Sequence, residues 1–178
     1  MEDEIMITTK ILCIAALSVA AAGCVQYDDS VFQHLSVLSD TRIAVHAHAG
    51  TDAIVSAQGD LLIDGKPVTL DAAQSQIVAR YFTSAMALRS DAVKTGAAGA
   101  ATAATAITSV AAGLASGDTD SIDAKVNASA AKVDAAANKL CVDLQMLAKA
   151  QDDLASAVPS FKPYATIGQR EVDDCKPD

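Results

Sequence analysis

Between residues 121 and 158 an apolar residue recurs every seventh position, as Val126, Val133, Leu140, Leu147 and Leu154. Four positions after each stand Ala130, Ala137, Leu144, Gln151 and Val158. A seven-residue repeat with this second position is the seam of a helix that packs along another helix. Side chains at such spacing interlock only with a partner lying nearly parallel or antiparallel. Pro159 follows, and the residue before a proline is pushed out of helical geometry. A helix over 121–158 is therefore expected, and it needs a partner of similar length.

The partner lies just upstream. Asp71 is a good N-cap, and Gln74 stands three residues on, where a capping box needs it. From there to residue 116 no proline interrupts. Gly96, Gly99 and Gly113 each weaken a helix by about 1 kcal/mol relative to alanine. The apolar or small series Val93, Gly96, Ala100, Ala103, Ile107, Val110, Leu114 steps by three and four, which is a helical stripe. The stripe is expected to face helix two, its glycines permitting close approach. Gly117-Asp118-Thr119-Asp120-Ser121 reads as a turn and a new cap, so the two helices form an antiparallel hairpin. Composition agrees. Apolar residues make up 51% of the chain, yet it holds only three Phe, three Tyr and no Trp. Alanine fills the difference, and it loses no side-chain entropy in a helix.

Before Asp71 the period shortens to two. Alternating segments at 42–48, 52–57, 60–63 and 67–70 are separated by Ala49-Gly50, Gln58-Gly59 and Asp64-Gly65. Asp-Gly between two such runs is a type I′ hairpin signal. A small antiparallel sheet of three or four strands over 41–70 is expected, with Pro67 on an edge or beside the turn. The fold class is α+β: a small N-terminal antiparallel β-sheet, then a long antiparallel α-helical hairpin (71–116 and 121–158). An extended tail (159–178) completes a single domain over 41–178, within the size one core supports.

The first residues read as an address. ILCIAALSVAAA over 11–22 is an apolar run after Lys10, ending in Gly23-Cys24. A basic start, an apolar run and small residues at a cut site make a secretory signal over 1–23. Glu2, Asp3 and Glu4 oppose the usual positive charge, so translation is expected to start at Met6. Ala21-Ala22-Gly23-Cys24 is similar to a bacterial lipobox, which would place lipid on Cys24. Residues 24–40 then form a tether, with a short ordered piece at 31–38. Val25 after the Cys favours the outer membrane. Cys13 leaves with the signal, and Cys141 and Cys175 remain as a pair for an oxidising compartment. Cys141 lies about 26 Å back along helix two from Val158 at 1.5 Å per residue. Extended chain from Val158 to Cys175 covers that easily, so the tail is expected to fold back and be stapled.

The formal charge is −9, or −7 once residues 1–23 are removed. That excludes a phosphate-binding nucleic-acid protein and electrostatic attraction to anionic lipid. His46-Ala47-His48 puts two imidazoles on one face of a strand, but without further ligands nearby no metal is expected. The acids at 118, 120 and 123 are read as helix capping. The uncharged stretch 95–117 is read as a packing face, not a membrane span. No nucleophile motif, phosphate loop or zinc signature occurs. No catalytic residue, cofactor or small-molecule substrate is therefore expected, and the chain is read as a binding protein, not an enzyme. The candidate binding residues are His46, His48, Arg80, Tyr81 and Phe82, where the sheet meets helix one, since Arg and aromatic side chains anchor most interfaces.

The segment GDLLIDGKPVTLDAAQ over 59–74 resembles the YggN-like family of bacterial envelope proteins. The resemblance is clear over 52–90 and architectural through 158. It implies a periplasm-facing location and supplies no catalytic residues. It also suggests immunity partners of antibacterial toxins delivered into the periplasm. The expected function is thus a lipid-anchored envelope protein that neutralises a secreted antibacterial effector by binding it. The alternative is a structural or envelope-maintenance lipoprotein with no toxin partner.

Overall fold

The computed structural model describes residues 33–48, 50–116 and 120–175, without the side chains of 111–123. The expected signal segment 1–23, its expected start at Met6, the expected lipidation position Cys24 and the expected tether up to residue 32 lie outside the described residues. So does the centre of the helix–helix turn at 117–119.

Five strands form one antiparallel sheet in chain order: β1 (Leu35–Ser39), β2 (Arg42–Val45), β3 (Ala53–Ser56), β4 (Leu61–Ile63) and β5 (Lys66–Pro67). The sheet starts earlier than expected, because β1 lies inside the stretch read as tether. Leu35 pairs with Val45 and Val37 with Ile43, so both join the core-facing side while Ser36 points the other way. β1 overlaps the short ordered piece expected at 31–38, but a strand this short carries too little alternation to be read as one. The core face holds Ile43, Val45, Ala53, Val55 and Leu61, each at most 1% exposed.

Turn chemistry sets the strand order. Asp64 and Gly65 have φ of 53° and 70°, the two positive values a type I′ turn requires between β4 and β5. Pro67 sits on the edge strand β5, where its missing N–H costs nothing. Gly59 has φ of 90°, and a Cβ there would stand 2.3 Å from the Ser75 carbonyl oxygen. Only glycine lets the β3–β4 turn press this closely on the next helix.

Helix α1 (Ala72–Ser116) opens with the expected capping box. The Gln74 N–H donates to Asp71 Oδ1 at 2.8 Å, and the Asp71 N–H donates to Gln74 Oε1 at 3.0 Å. Gln74 Nε2 also donates to the Ala157 carbonyl at 2.8 Å. That bond ties the first turn of α1 to the last residue of α2 (Asp120–Ala157), which returns antiparallel. The hairpin's base buries Val78, Tyr81, Phe82 and Leu88 from α1 against Leu144, Leu147 and Leu154 from α2. Burial pushes the Tyr81 hydroxyl well above its ordinary pKa.

The tail closes this core, but not as extended chain. Residues Pro159–Tyr164 form a 3-10 turn and Gln169–Asp174 a short helix, α3. Pro159 and Pro163 hold φ near the helical value, which favours a tight turn. Phe161 and Tyr164, three apart, fall on one side of such a turn, and both are buried. Gln151 fixes the next stretch from inside the core, being 1% exposed. Its Nε2 donates to the Ile167 carbonyl at 2.9 Å, and its Oε1 accepts the Ile167 N–H at 3.0 Å. The side-chain amide thus replaces a strand partner for the tail. The staple is present: Cys141 and Cys175 are disulfide-bonded with Cα atoms 5.1 Å apart.

The distal half of α1 turns a different face inward from the one expected. Val93, Ile107 and Val110 are 64%, 72% and 45% exposed. A Cβ on Gly96 or Gly99 would meet nothing within 4 Å, so neither glycine permits a close helix approach. The covered side runs through Asp91, Thr95, Thr102, Ala106 and Ser109. The reason is helical phase. Val78, Tyr81, Ala85 and Leu88 must enter the core at the base, and steps of three and four from Leu88 reach this series. Val93 lies two residues past Asp91 and so points away. On α2 the Val126, Val133, Leu140, Leu147 and Leu154 seam is buried or half-buried throughout. Its second positions, Ala130 and Ala137, are exposed, whereas Leu144, Gln151 and Val158 are buried. Among the described residues, no helix is long and apolar enough to cross a membrane.

An ion cluster bridges the hairpin where the apolar core ends. Asp91 accepts from Lys139 of α2, and from Lys94 Nζ at 2.8 Å. Lys139 also reaches Asp143 at 3.1 Å. The Lys139 hydrogen bond, then that of Lys94, holds the Asp91 carboxyl far below the usual carboxylate range, and Lys139 is raised by Asp91 and Asp143. A carboxylate with a lowered folded pKa stabilises above its unfolded value and loses that contribution as pH falls through the folded one. A lysine with a raised pKa stabilises below its unfolded value and loses that contribution as pH rises through the folded one. The cluster is therefore whole between the ordinary carboxylate and lysine ranges. Urea melts should show stability falling as pH drops below about 4. Asp91→Asn should lower the midpoint at neutral pH and flatten the acid limb; an unchanged acid limb would contradict the assignment.

Candidate functional site

The five candidate binding residues do not share one surface. Tyr81 and Phe82 are 1% and 7% exposed, so they are core side chains and cannot serve as anchors for a partner. Tyr81 packs edge-on against Phe161, with ring centroids 5.4 Å apart. Successive helix residues point about 100° apart. With positions 81 and 82 turned inward, Arg80 is left at the rim, where it is exposed.

Arg80 opens on a groove of about 420 Å³ between α1 and α2, lined also by Thr83, Met146, Lys149 and Asp153. Met146 is 48% exposed and Val142, one turn earlier on α2, is 47% exposed. Lys149 and Asp153 pair at 3.1 Å across one turn. Both are solvated, so the pair contributes little to stability. Among the described residues, Arg80 is then the groove's uncompensated cation. The surface can take an apolar side chain over Met146 and a hydrogen-bond acceptor at Arg80.

The histidines lie at the far end of β2 from the β1–β2 turn. The strand stops at Val45, so His46 and His48 do not form the expected pair on one strand face. His48 packs edge-on against His34, with ring centroids 4.8 Å apart. His46 is held differently. Its N–H donates to the His34 carbonyl at 2.9 Å, and its own carbonyl is 3.1 Å from His34 Nδ1. Its ring bridges two strands: Nδ1 is 2.7 Å from Asp52 Oδ1, and Nε2 is 2.7 Å from Ser36 Oγ. One neutral tautomer satisfies both contacts, with Nδ1–H donating to the carboxylate and Nε2 accepting the serine O–H. Among the described residues, no group of three or more His, Cys, Asp or Glu side chains could hold a metal ion.

Ser36 and Asp52 were not legible as site residues in the sequence. They stand ten and six positions from His46, and no local motif links them. Only the register of β1 on β2 and of β2 on β3 brings them together. The available signal was Leu35-Ser36-Val37, a single polar residue between two apolar ones at a strand's period.

Residues 30–123 match a protein family described as "Protein of unknown function (DUF2884)". The match takes in the whole sheet, α1 and the first residues of α2. No curated protein and no solved structure matches the chain. Because the matched segment is more than half of the sequence, the chain belongs to the DUF2884 family.

Proposed function

We propose that the chain is a bacterial envelope lipoprotein of the YggN-like kind, anchored to the outer membrane through Cys24 and facing the periplasm. It acts by holding another protein, and the partner class we infer is a secreted antibacterial effector that it neutralises in its own cell. The observation that carries protein binding is the groove between α1 and α2. There Arg80 and Met146 stand exposed side by side on rigid helices. Arg and Met are enriched where proteins dock, and a few such anchors dominate the binding energy. The Cys141–Cys175 disulfide suits an oxidising compartment. The net charge of −7 left once residues 1–23 are removed would steer a basic partner toward the protein.

The test is a deletion strain challenged by sibling cells that deliver the effector encoded beside the gene. The deletion strain should die, and the wild-type gene should restore survival. A copy carrying Arg80→Glu and Met146→Lys, produced at the same level, should fail to restore it. Against the purified effector that variant should bind at least about tenfold more weakly, the effect of losing roughly 1.4 kcal/mol. Cys24→Ser should leave the protein unacylated and shift it from the membrane fraction to the soluble periplasm or to uncut precursor. Survival of the deletion strain would remove the toxin reading, and full protection by the double variant would remove the groove. A second reading, structural work in the envelope through self-association, is favoured by the exposed stripe of Val93, Ile107 and Val110. It would be preferred if the deletion strain were defective when grown alone.

A further inference from the structure

We propose that Ser36, His46 and Asp52 form a nucleophilic relay that hydrolyses carboxylic esters at the face of the sheet opposite its core side. The proposal is independent of the groove and of the toxin reading. A carboxylate, an imidazole and a hydroxyl in hydrogen-bonded series is the arrangement that makes a serine nucleophilic. Here both links measure 2.7 Å, and each meets a different ring nitrogen. The order along the chain is immaterial, since such relays are defined by geometry and role.

The three groups lie in or directly beside three neighbouring strands, so the sheet positions their backbones. Ser36 lies in β1, His46 directly follows β2, and Asp52 directly precedes β3. His46 is fixed by its backbone contacts with His34 on one side and by Asp52 on the other. The site is also reachable: the side chains of His46 and Asp52 are 32% and 47% exposed, and Ser36 is exposed. Beside the nucleophile runs the cross-strand row Ser36, Ala44, Ile54, Leu62. Cross-strand partners point to the same side, so an acyl chain attached at Ser36 would lie over Ile54 and Leu62, both half-buried. Among the described strands β1 is an edge, and the outward N–H groups of an edge strand are the donors that would meet a developing oxyanion.

The reaction balances without any added reagent but water. Ser36 Oγ bonds to the ester carbonyl carbon as its proton passes to His46 Nε2, while Asp52 steadies the resulting imidazolium through Nδ1–H. The bond from carbon to the alcohol oxygen breaks, and the alcohol leaves with that proton. Water then gives a proton to His46, and its oxygen attacks the acyl-serine. The acid departs and Ser36 regains its hydrogen. An open site lends little help to a poor leaving group, so the substrate class is esters with stable alcohol or phenol leaving groups, and not amides.

The purified full chain should be treated with a biotinylated fluorophosphonate and, separately, with p-nitrophenyl butyrate. The expected result is one phosphonyl adduct, mapped by peptide mass to Ser36, and release of p-nitrophenol. Ser36→Ala should abolish the adduct and reduce turnover to the rate of an equal concentration of free imidazole. Asp52→Asn should leave Ser36 in place but cut turnover by about tenfold or more, because it removes the carboxylate that orients the imidazole. All three positions are solvent-accessible, and matching far-UV circular dichroism will separate chemistry from unfolding. Absence of a Ser36 adduct, or turnover undiminished in Ser36→Ala, would overturn the proposal.

Discussion

Phe161→Ala should lower stability by about 3–5 kcal/mol, the range for removing a buried aromatic ring. Phe161 is 0% exposed. Its ring lies 5.4 Å from that of Tyr81 on α1 and 5.7 Å from that of Tyr164 beyond it. It therefore plugs the base of the hairpin from a turn that follows α2. The hole cannot be refilled by sliding the tail inward, because Pro159 and Pro163 stiffen the turn on either side. In a domain of this size each kcal/mol shifts the melting temperature by about 2–4 °C, so a drop on the order of 10 °C is expected by calorimetry. A change under about 1 kcal/mol would mean that the tail does not pack on the base of the hairpin in solution, since surface substitutions fall in that range.

Loss of the disulfide should have the next largest effect. Cys141 and Cys175 are separated by 34 positions. Closing a loop of that length is worth about 3–4 kcal/mol through the unfolded state in the chain-entropy model. Cys175→Ser, or reduction of the wild type, should lower the urea midpoint accordingly. Non-reducing peptide mapping of the purified protein should find one peptide pair joining residues 141 and 175. Finding both as free thiols, or either joined to Cys24, would contradict the assignment. The two losses should not add. Both act on the tail, and once Phe161 no longer holds it the staple restrains a segment already loosened. The double variant should fall short of the sum, as expected for sites that share one element.

Much of the scaffold was legible because it rests on local chemistry. The Asp71–Gln74 box, the Asp64-Gly65 turn and the edge position of Pro67 are each set by a few adjacent residues whose geometry admits one solution. The Leu147–Leu154 part of the seam was equally clear, since seven-residue spacing survives whatever lies opposite. The tail was legible in its staple and not in its path. Nothing near Gln151 in sequence reveals that its amide will pair with the Ile167 backbone, because that bond spans 16 positions.

The candidate sites divide in the same way. Arg80, Tyr81 and Phe82 were conspicuous by residue type, but type does not set direction. Their roles follow from the phase of α1, which is fixed by Val78, Ala85 and Leu88 entering the core. The same phase turned Val93, Ile107 and Val110 outward, against the stripe that sequence spacing suggested. That stripe's period is correct; spacing specifies a face but not which way it points.

The sequence by itself determined the two long helices, the strands β2–β5, their order and their caps, because these depend on backbone chemistry over a few residues. Tertiary structure alone decided which side of each helix is inside, where the tail runs, and that Ser36, His46 and Asp52 meet. Those outcomes depend on strand register and helix phase. Both are set by the best simultaneous burial of many apolar side chains, a condition on the whole core that no short stretch of sequence contains.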